Sequence, residues 1–197
     1  MLDEPLSNLD AKREQMRFEL KALQESFKIT TVYVTHDQEE ALALSDRIGL
    51  MHEGTLLEVG APAELYLRPA HKITADFLGN AAHVEGHEKQ LGAEMLVATP
   101  LGNFVAQRGE WQVGVPAQLF FRPEYVDLLD DADGAVNGLN RGSGVVERVS
   151  FHGNSADVII RCGEIALHAR AHPARLPAVG KRVCFHVAPS SCIVFAA

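Results

Sequence analysis

The hydrophobic pattern of this 197-residue chain changes character at about Asn80, and that change constrains the fold more than any single residue. Before it, apolar residues at helical spacing alternate with a short β-branched run. After it come short alternating runs broken by glycine and proline. A chain that switches period in this way does not build one uniform sheet or bundle, so the reading is α/β followed by all-β, with units at residues 1–79 and 80–197.

In the first unit a helix is predicted from about Asp10 to Phe27, with Met16, Leu20, Leu23 and Phe27 on one stripe and Lys12, Arg13, Glu14 and Glu25 elsewhere. Thr31-Val32-Tyr33-Val34 predicts a short buried strand leading to His36. Asp37-Gln38-Glu39-Glu40 has the form of a capping box opening a helix through Ser45, with Glu40 reaching back. A hairpin is expected over 47–52 and 55–59 around Glu53-Gly54, then short helices over 63–67 and 73–78, entered at Pro62 and left at Gly79. Strands are expected in the second unit over 95–98, 104–107, 118–122, 144–151, 156–161, 165–169, 183–187 and 192–195. A small closed β-barrel accommodates such a series, because closure removes exposed edges.

Composition narrows the function classes. The 18 basic and 26 acidic residues give a formal charge of −8, with 8 against 14 up to Asn80 and 10 against 12 beyond it. Neither part is a basic nucleic-acid surface. A hydrophobic content of 47% suffices for real cores, and no apolar run has the length of a membrane span, so membrane association is expected through a partner. Cys162, Cys184 and Cys192 are odd in number and form no CxxC pair, which reads as buried thiols of an intracellular protein.

The chemistry lies near the start. Phosphoryl transfer to water needs a cradle for the phosphates, a carboxylate for Mg²⁺, a group that orients the water and a sensor of the terminal phosphate. Asp3 and Glu4 are candidates for the second and third. Met1-Leu2-Asp3-Glu4-Pro5-Leu6-Ser7-Asn8-Leu9-Asp10, followed by Val34-Thr35-His36-Asp37-Gln38-Glu39-Glu40-Ala41, resembles the Walker B, D-loop and switch-histidine segments of ATP-binding cassette ATPases in residue type, order and spacing. That resemblance implies that Asp3 would hold Mg²⁺, Glu4 would act as general base, and His36 would hydrogen-bond the γ-phosphate of ATP. Ser7 and Asp10 would contact the second subunit of an ATPase dimer. The phrase from Gly60-Ala61-Pro62 through Phe77-Leu78-Gly79 resembles the end of the ATPase domain in the importer branch of the family. Phe121-Arg122-Pro123-Glu124, the Gly144-Val145-Val146 strand and Val194-Phe195 resemble the OB-like accessory (TOBE) domain of importers for sugars, polyamines, ferric ion and oxyanions.

The implied protein is an importer ATPase subunit: the C-terminal part of a P-loop-type domain plus a small OB-like β-barrel. It would work as a homodimer with transmembrane permease subunits, on the cytoplasmic face of the cell membrane. Two motifs of the family are absent. No Gly-x-x-x-x-Gly-Lys-Ser/Thr occurs, since Gly180-Lys181 has Arg175 and Arg182 at the flanking positions, and no Leu-Ser-Gly-Gly-Gln segment occurs. This chain alone is therefore expected to bind ATP weakly and to hydrolyse it negligibly. The alternative is a non-catalytic regulatory or ligand-sensing dimerisation module.

Other residues carry less. Arg122, Arg148 and Arg161 read as solvated or salt-bridged strand arginines. His83 and His87, and His168 and His172, have the i, i+4 spacing of a metal site on a helix, and would serve a metal-dependent hydrolase. Gly86 and Pro173 argue against helices there, leaving surface or strand histidines. Trp111 and the Phe120-Phe121 pair read as core.

Overall fold

The computed structural model describes residues 2–3, 13–91, 94–106, 108–109, 116–129 and 138–196. It divides into two compact units, Met1–Gly79 and Asn80–Ala197.

In the first unit, β1 (Leu2–Asp3) pairs in parallel with β2 (Tyr33–Val34), Leu2 opposite Tyr33 and Asp3 opposite Val34. Between them runs α1 (Arg13–Phe27), followed by Lys28 in the left-handed region at φ 52°. The apolar stripe predicted for this helix is only partly the inward one. Met16 and Leu20 are half-buried, but Leu23 and Phe27 are exposed, and the half-buried face continues instead through Arg17, Lys21 and Gln24. Polar links explain the rotation. Arg17 Nη1 donates to Glu39 at 2.9 Å, and Lys21 Nζ reaches the Leu44 carbonyl at 2.9 Å and Asp46 at 2.7 Å. Glu39 and Leu44 belong to α2 (Gln38–Leu44), whose C-terminal carbonyls thereby gain a cation.

The predicted buried strand is shorter and more open than expected. Only Tyr33 and Val34 join a ladder, and Val32 and Val34 are exposed, because β1 is the only neighbour β2 has among the described residues.

The hairpin of β3 (Ile48–His52) and β4 (Thr55–Gly60) turns on Glu53 and Gly54, both at positive φ, the geometry that suits right-twisted strands. The short helices α3 (Pro62–Leu67) and α4 (Lys72–Phe77) follow, with Pro62 in the first turn of α3, where its missing N–H costs nothing. Glu58 ties them to the hairpin, accepting from the Ala70 N–H at 2.9 Å and from the Thr74 hydroxyl. Ile48, Leu65 and Leu78 form the centre of this small core, with Ala41, Leu42, Tyr66 and Phe77 against them.

The second unit is all-β, as expected of a small OB-like domain, with its strands in two sheets. One contains β5 (Ala82–Leu91), β6 (Glu94–Thr99), β7 (Gly102–Ala106), β8 (Arg108–Gly109), β9 (Ala117–Phe121) and β15 (Ile193–Ala196), in the order β7-β6-β5-β9-β15-β8. The other contains β10 (Val126–Leu129), β11 (Arg141–Phe151), β12 (Ala156–Cys162), β13 (Ile165–Ala171) and β14 (Arg182–Val187), in the order β10-β14-β11-β12-β13. Its edge strands β10 and β13 approach within 8 Å at Cα, so this five-stranded sheet curls towards closure.

Strand β5 changes partner along its length, pairing with β9 over Ala82–Gly86 and with β6 over His87–Leu91. Gly86 sits at the change, where an added Cβ would lie 2.5 Å from Val97 Cγ1. One core joins both sheets. Phe104 and Phe121 stack at 6.1 Å between ring centres, alongside Leu119, Val158, Ile160 and Phe185.

Asn140 joins the sheets by hydrogen bonds. At φ 60° its backbone N–H donates to Asn103 O at 2.8 Å and its carbonyl accepts from Val187 N at 3.0 Å. Its side chain, meanwhile, accepts from Val105 N at 2.8 Å and donates to Val105 O at 2.9 Å, standing in for a missing strand neighbour.

Candidate functional site

The parallel register of β1 and β2 decides which residues meet. With Asp3 opposite Val34, the Asp3 backbone lies level with the residue that leads into Thr35-His36. The carboxyl end of parallel strands is where ligands bind in open α/β sheets. The Asp3 backbone lies in this ladder; Glu4, Ser7 and Asp10 lie outside the described residues.

His36 occupies the turn between β2 and α2, and is exposed. The turn is held on both sides. Thr35 Oγ1 donates to Glu40 Oε2 at 2.9 Å and accepts from the Asp37 N–H at 3.0 Å. Asp37 caps α2, its Oδ1 accepting from Glu39 N at 2.9 Å and Glu40 N at 3.1 Å. The expected capping box is thus realised on the Asp37 side. Glu40 is turned inward, where its Oε2 also accepts from the Tyr33 hydroxyl at 3.0 Å. Burial, with the Glu40 carboxylate beside it, pushes the Tyr33 phenol well above its ordinary pKa and keeps it protonated as a donor. Arg17 braces the outer side, 2.9 Å from Glu39 and 3.5 Å from Asp37.

Elsewhere the sequence reading needs correction. Arg122 is neither solvated nor on the surface: it is 1% exposed, its guanidinium lies 5.2 Å from the Phe120 ring centre, and Nη1 donates to Asn80 O at 3.3 Å. Arg161 does pair at the surface, with Glu147 at 2.8 Å, and Arg148 is exposed on β11.

Both histidine pairs lie off α-helices. His83 and His87 are in β5, His168 is in β13, and His172 caps a short 3₁₀ turn through Nδ1. Among the described residues, no three His, Cys, Asp or Glu side chains converge as a metal site. His168 instead faces Asp157 at 3.3 Å, with His152 at 3.2 Å and Arg170 at 3.3 Å from the same carboxylate. That cluster was not apparent from the sequence; the β12–β13 register, Asp157 opposite Arg170, is what assembles it. Phe120 and Phe121 are core as expected, and Trp111 lies outside the described residues. The three cysteines are buried thiols, and burial pushes those of Cys162 and Cys192 up to about 11 and about 12.

Comparison with known proteins bears on both units. Residues 119–195 match the TOBE domain family. The chain is 36% identical, along its whole length, to a spermidine/putrescine import ATP-binding protein of Pseudomonas fluorescens, and covers 55% of that protein. It is 44% identical over 146 residues to a ferric ion import ATP-binding protein of Rhizobium meliloti, an alignment covering 70% of this chain and 39% of the relative. The chain spans about half the length, or less, of the curated relatives it matches. A solved molybdate-bound structure of a cytoplasmic molybdate-binding protein aligns with 59% of this chain and 96% of its own, at 14% identity and a TM-score of 0.49, a likeness that assigns neither fold nor ligand. The TOBE match and the full-length similarity to import ATP-binding proteins agree with the motifs around Asp3 and His36, and place the chain in the family of ATP-binding subunits of ATP-binding cassette importers.

Proposed function

We propose that this chain is the C-terminal part of the ATP-hydrolysing subunit of an importer, in which ATP binding and hydrolysis drive solute uptake. Residues 1–79 are assigned to the end of the nucleotide-binding domain and residues 80–197 to a TOBE/OB-like accessory domain. The observation that carries the reading is the register that brings Asp3 beside the strand leading to His36, in a chain similar over its full length to an import ATP-binding protein.

In the intact subunit, Asp3 would hold Mg²⁺, Glu4 would take the proton of the attacking water, and His36 would hydrogen-bond the γ-phosphate. Bound Mg²⁺ neutralises charge developing on the phosphates. Ser7 and Asp10 meet a second copy of the subunit, and closure of that homodimer is passed to transmembrane permease subunits at the cytoplasmic face of the membrane. No helix among the described residues is long and apolar enough to cross a membrane, which is compatible with a peripheral subunit.

The sequence contains no phosphate-cradling Gly-x-x-x-x-Gly-Lys-Ser/Thr loop, so this 197-residue chain by itself binds Mg-ATP weakly. That same absence favours a second reading, a non-catalytic regulatory or ligand-sensing dimerisation module. Calorimetric titration with Mg-ATP tests the missing cradle. The expected result is no measurable heat at micromolar nucleotide, and micromolar affinity abolished by His36→Ala would mean that the cradle is built another way.

A further inference from the structure

We infer that Glu40 is a positioning residue that fixes the Thr35-His36-Asp37 turn and thereby sets the direction of His36. Its relevance to nucleotide rests on the reading proposed above; the geometry does not.

Glu40 is 2% exposed, on a helix whose other buried residue, Leu44, is apolar. Burying a carboxylate costs free energy unless hydrogen bonds satisfy it, and an apolar residue would fill the same space without that cost. What the carboxylate adds is a directional acceptor. Its Oε2 takes the Tyr33 hydroxyl from β2 and the Thr35 hydroxyl from the turn.

The Thr35 bond has a second effect. Because that hydroxyl donates to Glu40, its oxygen is oriented to accept, and it accepts from the Asp37 N–H at 3.0 Å. Asp37 then caps the helix that carries Glu40, through the Glu40 N–H itself. The ring of bonds runs from Thr35 to Glu40, from Glu40 to Asp37 and from Asp37 back to Thr35. His36 is the residue between its two fixed neighbours. Its side chain is exposed, so the backbone of this turn sets where the imidazole starts from.

The test uses the chain as it stands. Amide hydrogen exchange is read at Asp37 and across β3 and β4, and the His36 ring is followed by its Cε1–Hε1 resonance. Thr35→Val removes the acceptor at nearly constant shape, Thr35→Ser keeps it, and Glu40→Ala removes the hub. The expected result is that Thr35→Val and Glu40→Ala speed exchange at Asp37 about tenfold or more and shift the His36 resonance towards its unfolded position. Amides of β3 and β4 keep their rates, and Thr35→Ser behaves as the parent.

Unchanged exchange at Asp37 in both Thr35→Val and Glu40→Ala would overturn the inference. So would an equal acceleration through the hairpin in Thr35→Val, because the network would then hold the unit together rather than the turn. Nucleotide plays no part in these readings, so they stand or fall separately from ATP binding.

Discussion

Replacing Asn140 with alanine is expected to destabilise the β unit strongly. Asn140 is 1% exposed, and its side chain satisfies both the N–H and the C=O of Val105, which is itself buried in β7. Truncation leaves both groups without those bonds, at about 1–3 kcal/mol each. Alanine must also hold φ near 60°, where asparagine is tolerated, adding about 1 kcal/mol. The expected loss is therefore about 3–7 kcal/mol, a large share of the roughly 5–15 kcal/mol typical of a domain.

Two further substitutions separate the contributions. Asn140→Gly keeps the backbone conformation at no steric cost and should lose about 1 kcal/mol less than Asn140→Ala. Asn140→Asp retains an acceptor for Val105 N but sets a carboxylate oxygen against Val105 O, and should be at least as harmful as alanine at neutral pH. Urea denaturation followed at the Val105 and Val187 amide resonances reads all three. A loss below about 1 kcal/mol in Asn140→Ala would refute the reasoning, since two buried backbone groups would have found other partners.

At Gly142, an added Cβ would lie 2.4 Å from Phe185 Cζ and 2.7 Å from the Leu101 carbonyl, so Gly142→Ala should cost about 1–3 kcal/mol or more in the same denaturation assay. Cys162 and Cys192 should resist a thiol reagent at pH 8 in the native chain and react on addition of denaturant, because burial raises both thiols. Burial opposes ionisation of Asp157, but the Arg170 hydrogen bond and the charges of His168 and Arg170 outweigh it and hold the carboxyl below its ordinary pKa. The stability this contributes is present above the unfolded value of about 4 and is lost as pH falls through the lower folded value, so Arg170→Gln should flatten the loss of stability below about pH 4 in acid titration. The exposed Arg161–Glu147 pair should contribute less than about 1 kcal/mol in a double-mutant cycle.

The sequence disclosed most where a few neighbouring residues decide the structure. Glu53-Gly54 between apolar runs predicts a hairpin because a two-residue turn with positive φ admits few residue types, and Asp37 predicts a helix start because its carboxylate can reach two free N–H groups. Where partners are distant, the reading fell short. Strand β5 carries Glu85-Gly86-His87-Glu88-Lys89, which has no apolar alternation; pairing with β6 and β9 makes it a strand. The inward face of α1 departs from its apolar stripe because periodicity counts apolar residues and not the reach of Arg17 and Lys21 to α2.

The burial of Arg122 does not follow from a strand arginine's usual solvated or salt-bridged state, since Asn80, far along the chain, and the ring of Phe120 are among its partners. Asn140 likewise depends on Val105, thirty-five residues away. Of the candidate site, the residue types and their spacing were legible, including His36 after a strand. The inward turn of Glu40 was not, since the same four letters fit a capping box equally well.

In the proposed function, Asp3, Glu4 and His36 belong to one ATP site completed by a phosphate-binding segment that this sequence lacks. Grafting the chain onto the preceding part of the Pseudomonas fluorescens spermidine/putrescine import ATP-binding protein and measuring ATP hydrolysis tests it most directly. The expected result is turnover that is lost in Glu4→Gln and His36→Ala. Turnover that survives both substitutions unchanged would contradict it.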